Sequence, residues 1–293
     1  MKNPPTRASI EVQGHRGARG LLPENTLPSF EIALDLGVTS IETDVHLTQD
    51  DVVVLHHDAR ISDRAPLIRA LTLDQLRTYR IGNAAPTPLA QRFAAARGLD
   101  PYGISTVAEL FDFVADYTGP LGAQAGKTRP QQERARRLIF DLELKRVPFC
   151  PETIGDGFNG TAPALLERQI ITAIRHAGVL ERTRVRSFDH RSMWAITQLE
   201  PKLTTGLLIH GTAPRDVGKL RTAVGAQIYC PDYHFVDFEI VSQVHAAGMR
   251  IISYTVNEPA AWERLIDWGV DGITTDYPDR LIAWLVERGL FVL

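Results

Sequence analysis

The ionisable residues whose types and spacing could do chemistry together fall in four short stretches. HRGARGLLPENT carries His15 and Arg16, IETDVHL carries Glu42 and Asp44, LHHD carries His56 and His57, and DLELK carries Asp141, Glu143 and Lys145. In extended chain, residues two apart point to one face, so Glu42 and Asp44 share a face, as do Asp141, Glu143 and Lys145. Two or three carboxylates without cysteine favour a hard, oxygen-seeking divalent ion, Mg²⁺ or Ca²⁺, over zinc. Arg16 and Lys145, together with that ion, would neutralise a bound phosphate. His15 and one histidine of the 56/57 pair could serve as acid and base. The constellation reads as metal-assisted phosphodiester chemistry, provided one fold brings the four stretches to one place.

The elements that would do so follow from the pattern of apolar runs. Strand candidates lie at 9–14, 39–47, 52–57, 138–145, 183–188, 204–209, 226–230, 250–256 and 271–275, and amphipathic helical stretches fill most of the gaps. Glycines at 37, 178, 248, 269 and 289 stand just past apolar periodic runs, where helices stop. Only Gln49, Asp50 and Asp51 separate the second run from the third, too few for a parallel crossover, so these two must form an antiparallel hairpin. Eight strands with helix-length connections remain, which predicts a (β/α)8 TIM barrel rather than an open doubly wound sheet, for which no GxGxxG loop is present. Register counting in the hairpin places Asp44 within one position of His56 or His57, with His46 on the face of Glu42 and Asp44. In a barrel, the ends of these strands form one mouth, and inward charges there must be paired or bind a metal.

Bulk properties narrow the partners. The chain has 293 residues, 44% hydrophobic content and a net charge of -3, which gives no reason to expect nucleic acid. Two cysteines, Cys150 and Cys230, supply neither a disulfide framework nor a metal knuckle. No stretch reaches the apolar length that spans a bilayer, and MKNPPTRASI lacks an apolar leader core, so no stable membrane insertion is expected. With Met1 as the native start, a cytoplasmic location is expected.

HRGARGLLPENT, ETDVHLTQDDVVVLHHD, DLELK and TVNEPAAWERLIDWGVDGITTDYPD together resemble the glycerophosphodiester phosphodiesterase family, over about residues 13 to 280. The resemblance implies a single (β/α)8 barrel domain over 1–293, with an insertion at about 59–104 that either covers the site or is a surface excursion. It implies hydrolysis of a small-molecule glycerophosphodiester to glycerol 3-phosphate and an alcohol, with one divalent cation. Carried onto this chain, it makes His15 and His57 the acid/base pair, His57 being chosen over His56 because it directly precedes Asp58. Arg16 becomes a phosphate ligand, Lys145 a phosphate or substrate contact, and Glu42, Asp44 and Glu143 the metal ligands. The implied mechanism is attack by the glycerol's neighbouring hydroxyl on phosphorus, followed by opening of a cyclic phosphate by water. The chain departs from the family pattern at Tyr254, where tryptophan often precedes TVN, and at Ser62-Asp63-Arg64, where an arginine-threonine pair is usual.

Other residues are assigned by local context. Glu24 and Asn25 are expected to support the loop, and Asn25 or Thr26 to cap the following helix. Ser187 and Asn257 stand at strand ends near a ligand. Asp276 in TTDYPD is expected to form a turn, Asn159-Gly160-Thr161 another, and residues 117–137 a solvated loop. His176, His190, His210, His234 and His245 are expected to be surface or structural residues. Two alternatives keep the barrel: a lysophospholipase D acting on lipid, which an exposed apolar rim around the mouth would mark, and a catalytically silent phosphate-binding barrel.

Overall fold

The computed structural model describes residues 10–81, 93, 100, 102–211 and 216–291. All nine expected runs form strands: β1 (Glu11–Gly14), β2 (Ser40–Leu47), β3 (Val53–Leu55), β4 (Ile139–Leu144), β5 (Thr183–Ser187), β6 (Thr204–Ile209), β7 (Ile228–Pro231), β8 (Arg250–Ser253) and β9 (Gly272–Thr275). Their order is β1-β9-β8-β7-β6-β5-β4-β2-β3, and pairing of β1 with β2 closes the sheet. Eight strands are therefore parallel in a closed ring, and β3 lies antiparallel on β2 in register Val45 with Leu55. The architecture is a (β/α)8 barrel, and the His56 amide donates to the Asp44 carbonyl at 3.1 Å, as the hairpin count requires.

Helices cover the barrel because their apolar stripes meet the outward apolar residues of the strands. Leu27–Leu36 is capped by Thr26, the second of the two expected capping candidates, and stops at Gly37, whose φ of 88° suits glycine. Leu165–Ala177 stops at Gly178 and Pro259–Trp268 at Gly269 in the same way.

The barrel interior is divided. On the β1, β2, β4 and β5 side it holds charge: Arg184 pairs with Glu11 and with Asp141 at 2.6 Å, and Arg186 donates to Gln13 at 2.9 Å. On the β6–β8 side a separate apolar cluster of Leu208, Ile228, Cys230 and Ile252 packs under Tyr254. Gly206 lies between the halves. A Cβ there would sit 3.3 Å from the Arg186 Cβ and 3.2 Å from the Cys230 Sγ, so its absence gives the arginine room.

Residues 117–137 are not the loop that their polar composition suggests. They carry the end of helix Val107–Thr118 and two short helices, Pro120–Gln124 and Arg129–Ala135, the last opened by a Thr128/Gln131 capping box. Lys127 anchors them, pairing with Glu31 and, at 2.9 Å, with Asp35. The insertion expected at 59–104 is described only in part. Residues 59–81 pack against the hairpin through a small cluster of Val54, Ile68, Leu76, Ile81 and Ile104. Ser62, Asp63 and Arg64 are exposed there. Among the described residues no helix is long and apolar enough to cross a membrane.

Candidate active site

The loop after β1 is a tight cage built by two left-handed residues that are not glycine. Arg16 has φ 49° and Asn25 φ 56°, a conformation that costs about 1 kcal/mol or more per side-chain-bearing residue and persists only where the surroundings impose it. Here they do. The Arg16 amide donates to Glu42 Oε2 at 3.0 Å, and Asn25 Nδ2 donates to Asp44 Oδ2 at 3.0 Å while its Oδ1 accepts from Thr43 at 2.7 Å. Gly17 turns at φ 88° against Ser29, where a Cβ would lie 2.5 Å from the hydroxyl oxygen. Glycine at 17 is thus required by both backbone and space.

The expected site residues converge. Arg16 Nη1 meets Glu24 Oε1 at 2.8 Å, and its Nε lies 3.2 Å from Asp44 Oδ2. Lys145 Nζ reaches Glu143 Oε1 at 2.7 Å and Asp44 Oδ1 at 3.4 Å. One oxygen each of Glu42, Asp44 and Glu143 lies within 4.8 Å of the others, and all three side chains are buried. Glu42 Oε1 and Asp44 Oδ1 are buried without a hydrogen bond. Orphaned carboxylate oxygens facing one another in a buried mouth are what a hard divalent cation satisfies, so the residues fit the expected group.

Crowding shows in their ionisation. Burial and the neighbouring Asp44 and Glu143 carboxylates push Glu42 up to about 8. Asp44 is held below the usual carboxylate range although burial opposes it, because Lys145, Arg16 and His57 surround it. Burial opposes the charge on Lys145 too, but Glu143 and Asp44 hold it protonated.

Both histidines commit Nδ1 to an aspartate. His15 Nδ1 lies 2.6 Å from Asp276 Oδ1, with Nε2 3.9 Å from Glu42 Oε2. Burial lowers the His15 pKa, Asp276 opposes that, and Arg16 adds to it. His57 Nδ1 meets Asp58 Oδ1 at 2.8 Å. His46, left undecided by the pattern, is buried, and burial lowers its pKa to about 4. Its Nε2 lies 3.1 Å from the His57 carbonyl and, neutral, donates to it, so His46 fixes the backbone that carries His57.

Asp276 is the residue that local context misassigned. It holds His15, and Asn257 in turn holds Asp276, donating to Oδ2 at 2.8 Å and accepting from its amide at 2.9 Å. Ser187, expected near a ligand, instead donates to the Leu144 carbonyl at 2.8 Å and is fully buried. Arg186 was not singled out from the sequence, yet its Nη2 lies 3.4 Å from Glu42 Oε1. Asn159 forms the expected turn by accepting from the Thr161 amide. His190, His210, His234 and His245 each meet a backbone or aspartate oxygen at other positions, as structural histidines do.

The model of the Glycerophosphoryl diester phosphodiesterase family matches residues 15–136 and 159–280, most of the chain, taking in His15, Arg16, Glu42, Asp44, His57 and Asp276 but not Glu143 or Lys145. The chain belongs to this family. A curated relative, the glycerophosphodiester phosphodiesterase of Caldanaerobacter subterraneus subsp. tengcongensis, is 28% identical over 95% of this chain and 98% of its own. A solved structure from Silicibacter pomeroyi is 26% identical, with a TM-score of 0.76, covering 96% of this chain and 95% of that one. An Oleispira antarctica phosphodiesterase, solved in complex with the product sn-glycerol-3-phosphate, shares the fold at 20% identity and a TM-score of 0.72, covering 95% of this chain and 97% of that one. The enzyme class that the motifs imply, a phosphoric diester hydrolase of this family, is the class to which the chain belongs.

Proposed function

We propose that the enzyme hydrolyses glycerophosphodiesters to glycerol 3-phosphate and an alcohol, and that it requires one divalent cation, Mg²⁺ or Ca²⁺, held by Glu42, Asp44 and Glu143. The observation that carries the reading is the buried triad of carboxylates, with oxygens lacking hydrogen bonds, set between His15 on one side and Lys145 on the other. The cation, when bound, supplies positive charge to a phosphoryl oxygen. Arg16 and Lys145 bind and orient the phosphate, since both are cationic and stand at the rim of the triad.

His15 takes the proton from the glycerol hydroxyl next to the phosphate. Its Nδ1 carries the hydrogen that meets Asp276, so the Nε2 lone pair is the basic one, and its lowered pKa keeps it neutral. The hydroxyl oxygen forms a bond to phosphorus as the bond to the leaving alcohol breaks, and His57 gives that alcohol its proton. Water then opens the cyclic phosphate with the two histidines in reversed roles. The product bound by the Oleispira antarctica protein, sn-glycerol-3-phosphate, is the one this reaction yields.

The test is release of glycerol 3-phosphate from glycerophosphocholine by metal-stripped enzyme, with and without Mg²⁺ or Ca²⁺, alongside His15→Ala and Glu143→Ala. Release that needs the metal and disappears in both variants is expected. Metal-independent release, or full activity in His15→Ala, would sink the assignment.

A further inference from the structure

Three histidines, His46, His56 and His57, stand at the end of the β2/β3 hairpin, and the proposed chemistry uses one of them. The β2–β3 ladder ends at the Val45–Leu55 pair, and one more main-chain bond, from the His56 amide to the Asp44 carbonyl at 3.1 Å, carries the chain out of the strand. Beyond it, among the described residues, no main-chain group bonds the amide or the carbonyl of His57. Side chains hold this stretch instead. His46 Nε2 donates to the His57 carbonyl at 3.1 Å, and His56 Nδ1 donates to the Asp58 carbonyl at 2.9 Å. The Asp58 carboxylate in turn meets His57 Nδ1 at 2.8 Å.

His46 is the member of this set whose presence packing does not explain. It follows Glu42 and Asp44 on their face of β2, opposite Val54, and is buried. Its Nδ1 is buried without a hydrogen bond, so the bond to the His57 carbonyl is the ring's one polar contact. A buried imidazole costs free energy that an apolar ring does not, unless its hydrogen bonds offset the loss of water. A side chain that only filled this space would be apolar. The bond that is made falls on the peptide carrying the proposed acid, and a misplacement of about 1 Å at a reacting group costs on the order of a hundredfold in rate.

We propose that His46 is a positioning residue for the leaving-group step, acting through the His57 carbonyl to hold the His57 ring where the departing alcohol takes its proton. The inference rests on the hydrolysis proposed above, in which His57 is the acid. In that step the glycerol hydroxyl oxygen bonds to phosphorus and gives its proton to His15. The bond from phosphorus to the alcohol oxygen breaks, and the proton on His57 passes to that oxygen. The oxygen of choline leaves only with a proton supplied, whereas nitrophenolate leaves as the anion and needs none. Displacing His57 therefore slows the first kind of ester and spares the second. Loss of a phosphate contact, of the nucleophile's base or of the fold would slow both.

The experiment follows single turnovers with the metal-loaded full chain in excess over substrate. Choline release from glycerophosphocholine is compared with nitrophenolate release from the p-nitrophenyl ester of glycerol 3-phosphate, in the parent, His46→Phe, His46→Gln and His57→Ala. His46→Phe should lower choline release about 10- to 100-fold and nitrophenolate release by no more than about threefold, with the half-saturating enzyme concentration unchanged for both. Its nitrophenolate release also shows that it is folded. His46→Gln keeps an N–H donor at the reach of Nε2 and should bring choline release back to within about threefold of the parent. With His57→Ala selectively slow on the choline ester, three results would overturn the inference and leave the hydrolysis intact: equal losses on the two esters in His46→Phe, no loss in it at all, or a His46→Gln variant no faster than His46→Phe. A His57→Ala variant that loses equally on both esters would bring down the assignment of His57 as the acid, and the inference with it.

Discussion

At the scale of single residues, the proposed catalysis depends on how a histidine is held. Asp276 fixes the ring and tautomer of His15 through the 2.6 Å contact, and Asn257 fixes Asp276. Asp276→Asn should lower kcat about 10- to 100-fold with KM nearly unchanged, because orientation is lost and phosphate binding is not. The same substitution removes a charge that raises the His15 pKa, so that pKa falls further below its ordinary value and the acid limb of the kcat/KM profile moves to lower pH. A purely structural role for Asp276 would leave that limb where it is. The residue was not legible because TTDYP reads locally as a turn before a helix, and its partner is 261 positions away. His15, Glu42, Asp44 and Glu143 were legible because strand alternation and strand ends carry their positions in short windows.

At the scale of elements, alternation located strands better than composition located loops. DLELK and IETDV form inward-facing barrel strands whose charges are paired, and TRVRS does the same with Arg184 and Arg186, which the pattern alone does not separate from a solvated face. The polar stretch 117–137 reads by composition as a loop although TRPQQ has a helix start in it, a threonine cap, proline in the first turn and glutamine at the third position. What holds that stretch is tertiary, the nearly buried Lys127 against Glu31, and burial raises the Glu31 pKa to about 7 even so. Lys127→Met should therefore cost about 2 to 3 kcal/mol in urea unfolding, since Glu31 is left buried and must take up a proton. The Lys127→Met/Glu31→Met double variant should recover most of that loss. Activity should not change in either, because these helices lead into the N-terminal end of β4, away from the mouth. A double variant as unstable as the single would mean that packing, not the stranded carboxylate, sets the cost.

At the scale of the whole molecule, the charged half of the interior makes stability depend on pH in two opposite ways. Glu11, at the end of the barrel opposite the mouth, has a pKa lowered to about 2, since Arg184 and Arg250 outweigh its burial. Its stabilisation is complete above the ordinary value of 4.5 and is lost as pH falls through about 2, a contribution of roughly 2 to 4 kcal/mol. Glu11→Gln should flatten this acid limb. Glu42 acts in the other sense. Its pKa is raised, so the folded state holds a proton that the unfolded state releases, and stability of the metal-free enzyme should fall as pH rises from about 4.5 towards about 8. A cation bound by the three carboxylates takes the place of that proton. Adding Mg²⁺ or Ca²⁺ at a hundredfold excess over Kd should raise stability by about 2.7 kcal/mol and level the falling limb near pH 8. Metal-free Glu42→Gln should then melt no lower than the parent at pH 8 and show no response to metal, because the substitution removes the charge that crowds the triad and also one ligand. A Glu42→Gln variant destabilised at pH 8, with its metal response intact, would mean that the three carboxylates are not the binding site and that Glu42 serves the barrel through Arg186 and the Arg16 amide instead.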